Sequence, residues 1–272
     1  MKFKSVFILF NIAVGASFLF VFAMPFMALG GEYALTFWRS NWPLASALVA
    51  VLVMIDGFFG LNWKLFSLLE REDWPALAHY LEDRIVRKGR WSARLVRLLA
   101  NTHLVLSDAS AVVELEAKIA KAKSSLLNKN ALVFGVARVL KNDPPSAVAF
   151  FAEHRGDKKS ESPEWVEWYY AFCLLLNKQF KEACDVLLPL SVSAKDAIVL
   201  ALCASFLRTA VARAVPEKAV ECEKASQNAI ERVKVKFATR SAWNKEIEST
   251  RADIHVVVLG KSLEEAAELL YA

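Results

Sequence analysis

Glycine, proline and cysteine are scarce, at 9, 8 and 4 residues in a chain of 272. So few flexible or breaking residues exclude long flexible linkers. The one loop-like stretch is Arg155 to Pro163, which is charged and contains serine. Cys173, Cys184, Cys203 and Cys222 all lie in apolar, helix-like stretches, and none forms a CxxC pair. That pattern reads as buried, reduced thiols and fits a reducing compartment. His79, His103, His154 and His255 are scattered without metal-ligand spacing. No GxSxG, HExxH or GxGxxG occurs. Gly260-Lys261-Ser262 has the ending of a phosphate-binding loop. His255 stands where the first glycine of that loop is needed, so the backbone cradle is missing. The chain is therefore expected not to be an enzyme, with no metal, no cofactor and no small-molecule substrate.

Charge of one sign is also lacking. The 34 basic and 29 acidic side chains leave a net charge of +5, too balanced to indicate a nucleic-acid binder. Strand-like alternation is scarce. Ile254 to Leu259 is the one β-branched run, and with no partner strand it reads as a buried helix.

What the chain does have is two long apolar runs near its N-terminus. Val6 to Leu29 contains no charge, and its 24 positions reach about 36 Å as a helix. Pro25 would kink its outer end. Pro43 to Leu61 has 19 residues and reaches about 28 Å, with a single charge, Asp56, close to Gly57 and Gly60. A bilayer core is about 30 Å thick, so both runs are long enough to span it. The connecting segment Gly30 to Trp42 is short and rich in glycine and aromatics, and Trp38, Trp42 and Trp63 sit where interfacial aromatic belts are expected. Lys2 and Lys4 precede the first run, the connection carries only Arg39, and a dense set of basic residues follows the second run. The positive-inside rule then puts both termini and the helical domain in the cytoplasm of a bacterial inner membrane, with a periplasmic domain if one span fails. Cleavage of the first run as a signal peptide is the alternative, although the run is longer than a usual h-region. Asp56 is the doubtful point, since an intramembrane carboxylate is costly unless it is paired or faces water.

Soon after the second run come Arg84, Arg87, Lys88, Arg90, Trp91, Arg94 and Arg97. Arg87, Arg90, Arg94 and Arg97 recur at three and four, so an unbroken helix would place them on one face. Such a face suits anionic headgroups or a partner, unless Gly89 breaks the helix.

The remainder reads as helix almost throughout. Ala111, Ala147, Ala183 and Ala219 are spaced 36 apart, and Asp108, Pro144, Phe180 and Pro216, each three residues earlier, open helix-like stretches. Leu115, Phe151 and Leu187 follow at i+4, with Glu223 breaking the series. Trp74-Pro75-Ala76-Leu77 is a related stretch upstream. The clearest unit pairs Glu164–Leu176 with Gln179–Leu188 across Asn177-Lys178. This unit resembles a tetratricopeptide repeat. That family wants a small residue twelve positions before the second-helix alanine. Ala171 and Gly135 supply it, whereas Leu99 and Leu207 do not. The resemblance covers roughly Asp73 to Asn228, and it implies stacked helix pairs with a concave face that binds a peptide or protein.

The expected fold is all-α: a two-helix transmembrane hairpin over residues 1–62, a tetratricopeptide-like α-solenoid over 63–240, and capping helices over 241–272. Ser262-Leu263-Glu264-Glu265 is a capping-box pattern for the last of these. The expected function is a membrane-anchored scaffold that recruits a protein partner into a membrane assembly. Spirochaete flagellar-collar membrane proteins resemble this arrangement in architecture. The HemY-like family, membrane subunits associated with a biosynthetic enzyme, also combines two N-terminal spans with a cytoplasmic repeat domain. A third class is a transporter or sensor component using Asp56.

Overall fold

The computed structural model describes residues 3–157, 160, 162–250 and 253–271, and for residues 3–8 and Leu29 the backbone alone. Lys2 lies outside the described residues, and so does the side chain of Lys4. Lys158, Lys159 and Glu161 of the expected loop lie outside them too. Among the described residues every regular element is helical, with no strand. The chain forms two compact units, Met1–Tyr80 and Leu81–Ala272.

The first unit contains α1 (Phe3–Leu29), α2 (Gly31–Ser40), α3 (Trp42–Glu70) and the start of α4 (Trp74–Glu82). Both long apolar runs are single helices, and neither apolar window has a buried residue. α1 continues through Pro25. α3 extends nine residues past Leu61, because no breaker follows before Glu72 and Trp63 to Leu69 remain largely apolar. The boundary expected at residue 62 thus falls inside a continuous helix. The connection expected as a loop is itself a helix, α2, entered through Gly30 in a left-handed conformation (φ 81°). α2 packs on α1, burying Ala34 and stacking Trp38 on Phe22 at 4.6 Å between ring centroids. Trp38 therefore packs within the hairpin, while Trp42 is exposed.

The second unit completes α4, whose last turn widens to a π turn over Asp83–Arg87. It continues with α5 (Ala93–Val105), α6 (Ala109–Lys123), α7 (Ser125–Lys129), α8 (Ala131–Leu140), α9 (Pro144–His154), α10 (Pro163–Leu176) and α11 (Phe180–Ser193). Then come α12 (Ala197–Phe206), α13 (Ala212–Ala214), α14 (Ala219–Lys236), α15 (Arg240–Ser249), α16 (Ile254–Val257) and α17 (Gly260–Tyr271). Successive pairs α5–α6, α8–α9, α10–α11 and α12–α14 pack internally. The second helix of each pair also packs on the first helix of the next: α6 on α8, α9 on α10, α11 on α12. Each pair covers the apolar side its neighbour would leave open, which is how stacked helical pairs build one continuous core. α12 and the π turn after it are long and apolar enough to resemble a membrane span, but 61% of that window is buried in this unit, so it is a core element.

Within the pairs α5–α6, α8–α9 and α10–α11 the two helices are joined by one recurring turn, which also stands between α3 and α4. Glu72, Ser107, Asn142 and Lys178 all have positive φ, between 52° and 61°, at intervals of 35, 35 and 36 residues. At each, the left-handed residue's N–H donates to the carbonyl three residues back and the next N–H donates to the carbonyl five before it, the Schellman pattern that satisfies a helix's last carbonyls. The next residue then caps the following helix. Asp73, Asp108 and Asp143 each accept from the backbone N–H three residues on, at 3.0–3.2 Å, and Gln179 occupies the fourth place. A second cap comes from a distance, where the Arg232 guanidinium of α14 donates to the Ser191, Val192 and Ala194 carbonyls at the end of α11.

These turns shift the repeat register. Counted from the caps, Leu77, Val112, Ala147 and Ala183 are equivalent, and all four are fully buried. Ala111 stands one position early, in the place of Ser146, and is only half-buried. The small residue at the helix crossing lies eight positions before each cap, at Ala100, Gly135 and Ala171, all buried. Leu99 is thus not the first pair's counterpart of Gly135. Phe151 of α9 lies on Gly135 so closely that a Cβ there would overlap its ring. In the last pair Leu207 holds this place, and the helix opens there into a π turn over Leu207–Val211. Ala219 is half-buried at the start of α14, after a 3-10 turn over Pro216–Lys218.

The C-terminal segment does not stop at the end of the stack. α16 packs on α5 and α8, and α17 packs on α12, all of them first helices of their pairs. Ile254–Val257 is helical, as its lack of a partner strand implies. α17 begins at Gly260, two residues before the capping-box serine. The Leu263 N–H already donates to the Leu259 carbonyl, so Ser262 lies within the helix and the box is not used as a cap.

Candidate functional site

The richest polar constellation lies where the tail crosses the first-helix face of the second unit. Glu164, at the start of α10, accepts from the backbone N–H groups of Lys195 and Asp196 at 2.9–3.1 Å, fixing the loop before α12. Asp196 then caps α12 by accepting from the Ile198 and Val199 N–H groups, and its other oxygen accepts from the Trp165 indole at 2.9 Å. The Trp165 ring meets the His255 ring edge-on at 4.7 Å between centroids. The Tyr169 hydroxyl, one turn further along α10, donates to the His255 carbonyl at 2.5 Å. Burial pushes the Tyr169 pKa up, keeping it a neutral donor. Burial pushes the His255 pKa down, partly offset by Asp253 and Asp196.

A polar cavity of about 270 Å³ remains beside this clamp, lined among others by Arg97, Asn101, Asn130, Ser160 and Asp253. Asn130 is 2% exposed. Its amide nitrogen donates to the Leu126 carbonyl, and its Oδ1 is buried with no hydrogen-bond partner among the described residues. Burial lowers the Arg97 pKa, and Asp253 partly restores it. A wider cleft of about 790 Å³ lies between α15 and α16–α17, with Trp243, Val257 and Leu263 on its walls.

The basic residues read from sequence do not form one helical face. Gly89 adopts φ 64° and α5 starts only at Ala93, so Arg87 and Arg90 are not on the helix that carries Arg94 and Arg97. Lys88 pairs with Asp83 at 2.8 Å, and Arg87 lies 3.9 Å from the same carboxylate. Arg84 is half-buried, Arg90 and Arg94 are exposed, and Arg97 turns into the polar cavity. Asp56 is half-buried in α3, and its Oδ1 is enclosed with no partner among the described residues.

The four cysteines are free and buried. Cys184 and Cys222 bring their sulfurs to 3.6 Å across α11 and α14, and burial raises the Cys173 and Cys184 pKa values to about 12. Among the described residues no cluster of His, Cys, Asp or Glu could hold a metal ion. The Glu164–Asp196–Trp165–His255–Tyr169 clamp went unseen in sequence because its members are scattered over ninety residues. Of these, His255 reads alone as an ordinary histidine.

The fold and these surfaces define an all-α protein in which two unburied apolar helices precede a stack of helical pairs crossed by its own C-terminal segment. The chain belongs to the family described as "Uncharacterised Treponema protein", which matches residues 111–272. That stretch runs from within α6 through α17 and includes the tail and the wider cleft. The apolar helices and the α5 wall of the polar cavity, with Arg97 and Asn101, lie outside it. An uncharacterised protein of Treponema pallidum (strain Nichols) is 26% identical over 223 residues, covering 80% of this chain and 68% of the relative.

Proposed function

We propose that the protein is a membrane-anchored scaffold: α1 and α3 span a bilayer with the helical stack on the cytoplasmic side, and the stack holds a partner protein in a membrane assembly. One observation carries this reading. α3 runs unbroken from its apolar half into the first of the four recurring turns, so anchor and stack are consecutive parts of one element series. The register set by the caps also brings the stack nearer to the tetratricopeptide pattern, with Ala100, Gly135 and Ala171 at the close crossings. The first-helix face, where such solenoids receive partners, carries the chain's own residues 253–271. Partner contacts are therefore assigned to surfaces that the tail leaves open. Among these is the row of exposed apolar residues at the ends of successive first helices, Val105, Leu140 and Leu176. Of the assemblies named from architecture, a flagellar collar in spirochaetes accords with a Treponema family.

The test is crosslinking and affinity purification from membranes, using the full chain beside one lacking residues 1–62. A scaffold located by its anchor retains its direct partner in the truncated form but loses the membrane fraction. A partner set that collapses on truncation overturns the reading and assigns recognition to the hairpin.

A further inference from the structure

Asp56 is the feature the scaffold reading does not use. It stands in the inner half of the second apolar run, five residues before Leu61, or about 8 Å inside that end at the α-helical rise. No hydrogen bond or ion pair satisfies it among the described residues, and one of its oxygens is enclosed. A carboxylate in hydrocarbon must find a donor or a countercharge. The apolar runs hold no countercharge: between Ser5 and Asn62 the only basic residue is Arg39, outside both runs. A second copy of the chain brings the same carboxylate and no new cation. A metal ion fits poorly, because it needs several oxygen ligands and no carboxylate cluster exists among the described residues. Beside Asp56, a Cβ added at Gly57 or at Gly60 would meet nothing within 4 Å. Gly60 stands four positions after Asp56, on the same helix face, and small residues at a helix surface let another helix backbone come close.

We infer that α3 seats a transmembrane helix of a different protein through Asp56, Gly57 and Gly60, and that this helix carries a lysine or arginine that pairs with Asp56. The glycines give the close approach. Asp56 gives the selectivity, because it is half-buried and a long basic side chain can reach its carboxylate. Pairing inside the bilayer removes the penalty both charges carry alone. This inference rests on α3 spanning the membrane.

The experiment uses the full chain reconstituted in phosphatidylcholine–phosphatidylglycerol vesicles. Its probe is a fluorescent synthetic Leu/Ala transmembrane helix with one lysine placed at the depth of Asp56, compared with the same helix bearing leucine there. Energy transfer from a donor label on the chain reads association. The lysine helix is expected to associate roughly three- to tenfold more tightly than the leucine helix. Asp56→Asn is expected to abolish that preference, and Gly60→Leu to weaken binding of both helices. Equal binding of the two helices, or a preference that survives Asp56→Asn, overturns the inference. Alkaline extraction of the same vesicles separates the two levels. A chain that is stripped off overturns the membrane reading together with the inference, whereas a chain that stays embedded without lysine preference overturns the inference alone.

Discussion

Single side chains decide how closely the helical pairs can pack. Gly135 is the sharpest case, because the Phe151 ring fills the space a β-carbon would occupy. Gly135→Ala forces α8 from α9 or Phe151 from its rotamer, and overpacking of this kind costs about 1–3 kcal/mol. Thermal unfolding of the detergent-solubilised chain should show a lowered midpoint, and Phe151→Leu in the same chain should recover part of it. His255 gives a second test. Its pKa is lowered from the ordinary 6.5 by burial. Above 6.5 neither the folded nor the unfolded chain binds the proton. As pH falls below 6.5 the unfolded chain takes it up first, so the stabilisation from keeping His255 neutral is lost down to the folded-state pKa and is constant below it. The midpoint of unfolding should therefore fall as pH drops below about 6.5. His255→Gln should flatten that part of the profile, and a slope that persists unchanged would assign it to other groups.

Helix ends carry the repeat, and they explain what could and could not be read from sequence. The all-α class and the two apolar helices were legible, because uninterrupted hydrophobicity and helix-forming composition do not depend on tertiary context. The register was not. A turn in the left-handed region is normally marked by glycine, and this chain uses Glu72, Ser107, Asn142 and Lys178 instead. The alanine comb reads as a strict 36-residue repeat, although the first two intervals between the turns are 35. The aspartates 73, 108 and 143 were the available signal, since each precedes a helix and accepts its N-terminal N–H. Asp143→Ala should cost about 1 kcal/mol through loss of that cap. Lys178→Gly should gain about 0.5–1 kcal/mol, because glycine adopts φ 61° without steric penalty and repays only part of this in chain entropy. Opposite shifts in the unfolding midpoint of these two variants would locate the energetic basis of the repeat in its turns.

At the scale of the whole molecule, the unexpected element is the tail. Composition shows that residues 254–271 are apolar enough to be buried, but no local pattern says against what. The answer depends on the first helices of the pairs presenting a common face, which is a property of the stack. Val256, Leu259, Leu263, Ala266 and Leu270 are all buried in the fold, and Tyr271 donates to the Phe237 carbonyl at 2.7 Å. At about 25 cal/mol per Å² of apolar surface, five such side chains represent several kcal/mol of burial. The tail is thus integral to the second unit and not a loose appendage. A chain ending at Thr250 should leave the α12 side that packs on α17 exposed and remove the carbonyl that the buried Tyr169 hydroxyl needs. It should bind a hydrophobic dye such as ANS, unfold at lower temperature, and show altered Trp165 fluorescence. Adding back a peptide of residues 251–272 in excess should reverse the dye binding and restore the fluorescence, because the face it occupies is formed by α5, α8 and α12. If the truncated chain instead keeps its unfolding midpoint and excludes the dye, the tail contributes no stability and the first-helix face is open to a partner, which would return recognition to the place where a solenoid ordinarily performs it.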